Sequence, residues 1–264
     1  MSVLTDWKPS AGIRASAALH LAVAAGLVLD IPWPAGAGVL VINHAGLTLA
    51  GLWPRSTLLG KNLSKLPVCR SNAARVAITI DDGPDPEVTP LVLNILDETN
   101  SKASFFCVGS AVLANPILAR EIIQRGHTIE NHSFSHRHFF SLMGIGSLRK
   151  EINRAQHAIA DTTGYIPVYF RAPAGLRNPL LDPVLQSLDL KLVSWTRRGF
   201  DTINKDPAQI LDRLESKLEP DDILLLHDGN CAISAQGKPV ILEVLPKLLV
   251  TLKQRGFQAI SLPS

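Results

Sequence analysis

A chain of 264 residues suffices for one large domain or two small ones, and a hydrophobic share of 46% excludes a disordered or fibrous protein. Lys and Arg number 26 against 23 Asp and Glu, and a net charge of +3 is too small for a dedicated nucleic-acid binder, so no nucleic-acid partner is expected. Three cysteines exclude a disulfide framework and leave at least one thiol free.

Charge is distributed unevenly. Up to Pro54 the only charged residues are Asp6, Lys8, Arg14 and Asp30. Ala15 to Leu29 and Ile31 to Pro54 are uncharged apolar runs, and a spanning helix needs roughly 17–25 such residues. The first run reaches that length only if Arg14 or Asp30 snorkels to the interface. The second is long enough over Ala35 to Trp53, with Asn43 and His44 near its middle. Ile31-Pro32-Trp33-Pro34 between them is a turn that restricts helix continuation and sets an aromatic at interfacial depth. Residues 1–60 are therefore expected to form a membrane helical hairpin, with 61–264 as the globular domain. A helix pair packed on that domain, or a signal peptide cleaved near Ala35-Gly36-Ala37, are the competing readings. Lys8 and Arg14 precede the hairpin, and Arg55, Lys61, Lys65, Arg70 and Arg75 follow it. The positive-inside rule then puts both ends in the cytoplasm, with the chain in a cell inner membrane and a periplasmic domain as the alternative. Unpaired cysteines agree with the cytoplasmic side.

From Arg75 onward short β-rich runs alternate with helical ones. Strands are predicted at Val76 to Ile80, Ala103 to Val108, His127 to Glu130, Val168 to Phe170, Leu192 to Trp195, Ile223 to Leu226 and Phe257 to Ser261. Helices are predicted near Val88 to Glu98, Pro116 to Gln124, Leu148 to Thr162, Leu180 to Ser187, Pro207 to Leu218 and Val240 to Gln254. Gly126 and Gly164 provide stop signals for two of them. Such a pattern implies an α/β fold, either a doubly wound sheet or a distorted parallel (β/α) barrel of about seven strands. Asp81-Asp82, His132, Arg171, Trp195 and His227 each follow a strand, and in a barrel those ends converge on one mouth. The barrel is therefore favoured.

The polar clusters suggest a chemistry. His132 and His136 are spaced i and i+4, which one helical turn would bring together to hold a metal, although two surface histidines would look the same. Asp81-Asp82 before Gly83-Pro84 are adjacent carboxylates that repel each other, and they make sense if one binds metal and the other handles protons. Arg171 sets a permanent cation beside a rigid turn, and His227-Asp228 ends an apolar strand. Cys107 is expected in the core, His20 and His44 within the apolar region, and His138 at the surface.

The order TIDDGP (79–84), HSFSH (132–136), RAPAG (171–175), Trp195 with Asp201, then LLLHD (224–228) resembles the polysaccharide deacetylase family, or NodB homology domain, from about Arg75 to the C-terminus. The resemblance implies a distorted parallel barrel. It implies that Asp82, His132 and His136 bind a divalent metal, with zinc the expected ion. Asp81 would be the general base acting on the attacking water, held by Arg171. His227 would be the general acid, oriented by Asp201. Trp195 and Leu225 would wall a small acyl pocket, with Pro173 and the backbone N–H near Ala174 beside it.

The implied reaction is metal-dependent hydrolysis of an amide C–N bond, removing acetyl or formyl from an amino sugar of a glycan or lipid-linked saccharide. Ala174 stands where many members carry an aromatic residue, and Asp201-Thr202 where Asp-Trp is usual. Losing two stacking faces argues against a long polysaccharide and leaves a silent glycan-binding module as the alternative. Arg198, with Arg177 and Arg197, is expected near the mouth and suits a phosphate-bearing substrate, unless Arg198 is taken up by Asp201 or Asp182.

Overall fold

A computed structural model describes residues 7–67 and 74–263. Arg70, one of the basic residues used to orient the hairpin, lies outside the described residues. Helices α1 (Ala11–Val28) and α2 (Trp33–Leu52) form the apolar hairpin. The second begins two residues earlier than expected. Pro34 falls in its first turn, where a missing N–H costs nothing.

Both helices are long and apolar enough to cross a membrane, and few of their residues are buried. Leu21 and Ile42 are 73% and 75% exposed. Helices lying along the domain would bury such residues, so the pair is not packed on it lengthwise. The two helices hold each other through polar contacts at mid-length. Asn43 donates to Ser16 Oγ at 2.9 Å, and the Nε2 atoms of His20 and His44 lie 3.3 Å apart.

The remainder alternates β1 (Arg75–Asp81), α3 (Thr89–Glu98), β2 (Ser104–Cys107), α4 (Gly109–Ala114), α5 (Pro116–Gln124), β3 (Thr128–Asn131), α6 (Ile145–Thr163), β4 (Tyr169–Phe170), α7 (Leu181–Ser187), β5 (Lys191–Leu192), β6 (Arg197–Arg198), α8 (Pro207–Glu215), β7 (Ile223–His227), α9 (Val240–Gln254) and β8 (Gln258–Ile260). Every pairing is parallel. The path runs β5-β4-β3-β2-β1-β7-β6, with β8 beside the start of β1. β5 and β6 are its two edges, and only Val193 to Thr196 separate them. The sheet is thus a curled, open version of the expected barrel.

The strand expected at Leu192 to Trp195 is split, and Trp195 lies between β5 and β6. Helix α4 has no counterpart among the predicted helices. It is short, and its Gly109 leads it against α6, where a Cβ would fall 2.8 Å from the backbone of Ala155.

Alternation along the central strands separates two layers. Ile78 and Ile80 of β1, with Leu224 and Leu226 of β7, pack outward among Val92, Leu96, Val244 and Leu248 of the helices. Ala77, Ile223 and Leu225 point inward onto Phe106, Tyr169 and Trp195. Register does the rest. Asp81 is paired with His227, so both leave the top of the sheet on its inner side.

Candidate active site

Asp81 and Asp82 end β1. Asp81 is 3% exposed, and its Oδ1 accepts from Arg171 Nη1 at 2.6 Å. The same Arg171 nitrogen donates to Thr79 Oγ1, and Nη2 donates to the Ser194 carbonyl. The guanidinium lies 4.0 Å from the centre of the Phe106 ring. Burial lowers the pKa of Arg171, and Asp81 opposes that loss. The clamp on Asp81 is thus fixed from three sides.

Asp82 turns away from its neighbour because its backbone is left-handed, at φ 79°. Its Oδ1 lies 3.3 Å from His132 Nε2 and 3.2 Å from His136 Nε2. His132 Nδ1 is 2.8 Å from the Arg171 carbonyl and donates to it. That bond leaves Nε2 of a neutral ring as a lone pair aimed at the carboxylate, the usual way a metal-binding histidine is held in its tautomer.

Asp82 Oδ1 is buried and has no hydrogen-bond partner among the described residues. Three ligand atoms that repel one another, all within 4.8 Å, form a ready place for a cation. An Asp-His-His set fits a divalent ion. The pocket favours positive charge beside its carboxylates. Burial would raise the Asp82 carboxyl, but charge from His132, His227 and His136 holds it well below the usual range, and Asp81 and Asp82 raise His132 in return against its burial. Burial and His132 push His136 down, toward the neutral form a metal takes.

The two histidines do not meet on a helical turn, as their spacing suggested. HSFSH is a loop bent by Ser133 at φ 63° and His136 at φ 44°, and it brings the rings to 4.9 Å between centroids. Asn131 Oδ1 accepts from Ser133 N, and Glu151 accepts from both the backbone and the hydroxyl of Ser135. Sequence reasoning misses both supports. Both come from residues outside the motif, and Glu151 from another element, so local spacing carries no sign of them.

Across the mouth, His227 Nδ1 is 2.8 Å from Asp201 Oδ1, and the His227 backbone N–H donates to Asp201 Oδ2 at the same distance. Burial disfavours charge on this ring, but Asp201 first, then Asp81 and Asp82, raise its pKa above the ordinary value. The loops that carry the two halves touch through glycines. A Cβ on Gly83 would strike the Asp228 carboxylate, and one on Gly229 would strike the Asp82 backbone. In the sequence Asp228 stands out only as a neighbour of His227. It accepts from Thr89 Oγ1 at 2.5 Å and Gly229 N at 2.9 Å, and burial pushes its pKa up to about 7.

The pocket residues lie beside these groups. Trp195 and Leu225 are buried on the inner side, Pro173 is buried, and Ala174 is exposed in a left-handed turn at φ 54°. Gly175 follows, where a Cβ would lie 2.6 Å from the Trp195 ring.

The three arginines part ways. Arg177 donates to the Ser56 carbonyl and is buried, so it is a structural contact to the chain leaving α2. Arg197 pairs with Asp222 at 2.9 Å and turns toward the carbonyls of Ser216 and Lys217. Arg198 forms no ion pair among the described residues. It lies over Trp195 and Phe200, while Asp182 serves Trp7 and Gln186. Cys107 is buried and its thiol raised by burial, as a core residue would be, and His138 is exposed.

Fold and site together define an α/β protein whose curled parallel sheet carries, at its mouth, an Asp-His-His cluster that could hold a divalent metal. Residues 70–193 match the family described as polysaccharide deacetylase. A peptidoglycan-N-acetylglucosamine deacetylase of Listeria monocytogenes is 29% identical over 198 residues, covering 75% of this chain and 40% of that protein. A chitooligosaccharide deacetylase of Azorhizobium caulinodans is 31% identical over 199 residues, 73% of this chain and 94% of the relative. The family 4 carbohydrate esterase of Streptomyces lividans, solved with acetate, superposes with a TM-score of 0.64 at 30% identity, over 73% of this chain and 93% of that one. The chain belongs to the polysaccharide deacetylase family. It spans about two fifths of the length of the Listeria relative.

Proposed function

We propose that this chain hydrolyses the amide C–N bond of an N-acylated amino sugar, releasing a small acyl group, acetyl or formyl, and the free amine. One observation carries the reading. An orphaned Asp82 Oδ1 faces two imidazole lone pairs beside an Arg-clamped Asp81 and across from an Asp201-bound His227. The relatives named as N-acetylglucosamine and chitooligosaccharide deacetylases support the amino-sugar class.

Zinc suits the Asp-His-His set with an open position. When bound, it would polarise the carbonyl and lower the pKa of a water molecule. Asp81 takes the proton of the attacking water through the oxygen that Arg171 leaves free. His227 Nε2 protonates the departing nitrogen, while Asp201 fixes its tautomer and favours its charged form. Splitting base and acid between two strands spares one group both tasks. The Ala174 N–H donates to the developing oxyanion, and Trp195, Leu225 and Pro173 confine the acyl group. Arg198 receives an anionic substituent, such as a phosphate linking the sugar to a lipid.

The hairpin is assigned to a cell inner membrane with the catalytic domain on the cytoplasmic side. Protease accessibility in inverted and right-side-out vesicles distinguishes this from a periplasmic domain. The activity is tested on N-acetyl and N-formyl amino sugars with metal-loaded protein. Asp81→Asn and His227→Ala should each lower kcat by roughly 10²–10⁴. Unchanged rates in both would overturn the assignment of base and acid.

A further inference from the structure

The apolar hairpin leaves the domain from its catalytic mouth. The Arg177 backbone N–H donates to the Gly51 carbonyl at 3.1 Å, its guanidinium donates to the Ser56 carbonyl, and Arg55 reaches the Thr196 carbonyl. Pro54 lies against Gly175, where a Cβ would come within 2.9 Å of it. Gly175 and Arg177 lie in the loop that follows β4, directly after the Arg171 that clamps Asp81, and Thr196 lies in the segment between β5 and β6 that carries Trp195.

A second set of contacts extends this junction around the rim. Asn178 donates to the carbonyls of Ser141 and Met143, tying the loop that follows His136 to the segment that holds the hairpin. Trp195, which touches the Gly175 turn, lies under Arg198, and Arg198 in turn lies over Phe200. The loops so connected expose large apolar side chains. Leu142 is 83% exposed and Ile203 76%, with Phe139, Phe200 and Trp53 also exposed. Arg137 lies 5.6 Å from the Phe139 ring centre, and Arg198 and Arg213 lie at 5.0 and 5.3 Å from that of Phe200. Apolar side chains paired with basic heads suit the headgroup layer of an anionic bilayer.

Helix length completes the argument. An 18-residue helix is about 27 Å long, against about 30 Å for the hydrocarbon core. A hairpin of that length has no spare turn to hold its base away from the surface, and its base is the mouth.

We propose that the rim of Phe139, Leu142, Phe200 and Ile203 rests on the lipid headgroups, so that the active site opens against the membrane and takes amino sugars presented from it. The substrate part rests on the hydrolase reading above. The lipid contact does not.

Two measurements on the full chain in vesicles of phosphatidylglycerol and phosphatidylethanolamine separate them. In a Cys69→Ser, Cys231→Ser background, an environment-sensitive fluorophore is placed at Leu142→Cys, Ile203→Cys or, at the opposite end of the barrel, Ile166→Cys. Emission at 142 and 203 should shift blue and be quenched by headgroup-proximal brominated lipid, while 166 stays water-like. Equal behaviour at all three positions overturns the proposal. A blue shift in detergent that grows with protein concentration also overturns it, since a second copy would then cover the rim. In the kinetic arm, the double variant Leu142→Glu, Ile203→Glu should lose at least tenfold in kcat/KM on a vesicle-borne N-acyl amino sugar and less than twofold on its soluble counterpart. Equal loss on both overturns membrane presentation. If neither substrate is hydrolysed by the unmodified chain, the hydrolase reading fails and the fluorescence result still decides the lipid contact.

Discussion

The two sides of the mouth each set a buried aspartate against imidazole, and they do so in opposite ways. On the β7 side, Asp201 is saturated. One oxygen holds His227 Nδ1 and the other holds that residue's own backbone N–H. On the β1 side, Asp82 Oδ1 is enclosed between two ring nitrogens with nothing to donate to it. A saturated carboxylate orients its histidine, and an orphaned one marks where a cation belongs. The two side chains are 7% and 0% exposed, and hydrogen-bond satisfaction is what separates an orienting residue from a ligand.

Replacing the orphan should do the most damage. Asp82→Ala is expected to lower metal affinity by more than about 100-fold, the upper end for a supporting residue, because a ligand itself is lost. Metal content after dialysis, together with turnover, measures this, and near-stoichiometric metal would break the contrast. Asp201→Asn should keep the metal but reduce kcat by roughly 10²–10⁴. The sign of its pH effect is fixed. Asp201 raises the pKa of His227, and the acid must be protonated to act, so the variant's alkaline limb should move to lower pH. An unmoved limb would show that a different acid titrates there.

A smaller effect is expected at Arg198→Ala, which should raise KM for a phosphate-linked amino sugar by about tenfold, the loss of one charge-assisted contact, and leave its neutral counterpart unchanged. The smallest belongs to Asp228, saturated like Asp201 but facing no imidazole. Its pKa of about 7 lies above the value in an unfolded chain, so the fold loses stability as pH rises through that interval. Asp228→Asn, which resembles the protonated acid, should change stability at pH 6 by no more than about 1 kcal/mol and flatten that loss. A large loss at pH 6 would mean the carboxylate is charged in the fold.

The parts that could be read from the sequence are those where one strong local pattern decides. The β-rich runs ending at Ile80 and Leu226 put Asp81 and His227 just past strand ends at one mouth, and the helical runs over 116–124 and 240–254 gave α5 and α9 their observed ends. What could not be read depended on distant partners. HSFSH bends as a loop because Asn131 and Glu151 hold it, not because four residues make a turn. Arg177 looks like a substrate cation in sequence, and becomes structural only because Ser56, 121 residues earlier, presents a carbonyl to it. β6 is two residues long, too short to show any periodicity, yet it closes the path beside β7.

The pairing of Asp81 with His227 also bears on how such a site can change over time. The distance between the two groups is set by the hydrogen-bond ladder of adjacent central strands, which no loop insertion can stretch. Surface loops such as those at Phe139 and Ile203 can therefore diverge freely, altering what is admitted to the mouth while the spacing of the reacting groups is inherited unchanged. A single-residue slip between β1 and β7 is the one change that would turn a side chain of this pair outward, and it would turn the core-facing row of the same strand with it. Selection for a solid interior thus guards the catalytic spacing without having to act on catalysis at all.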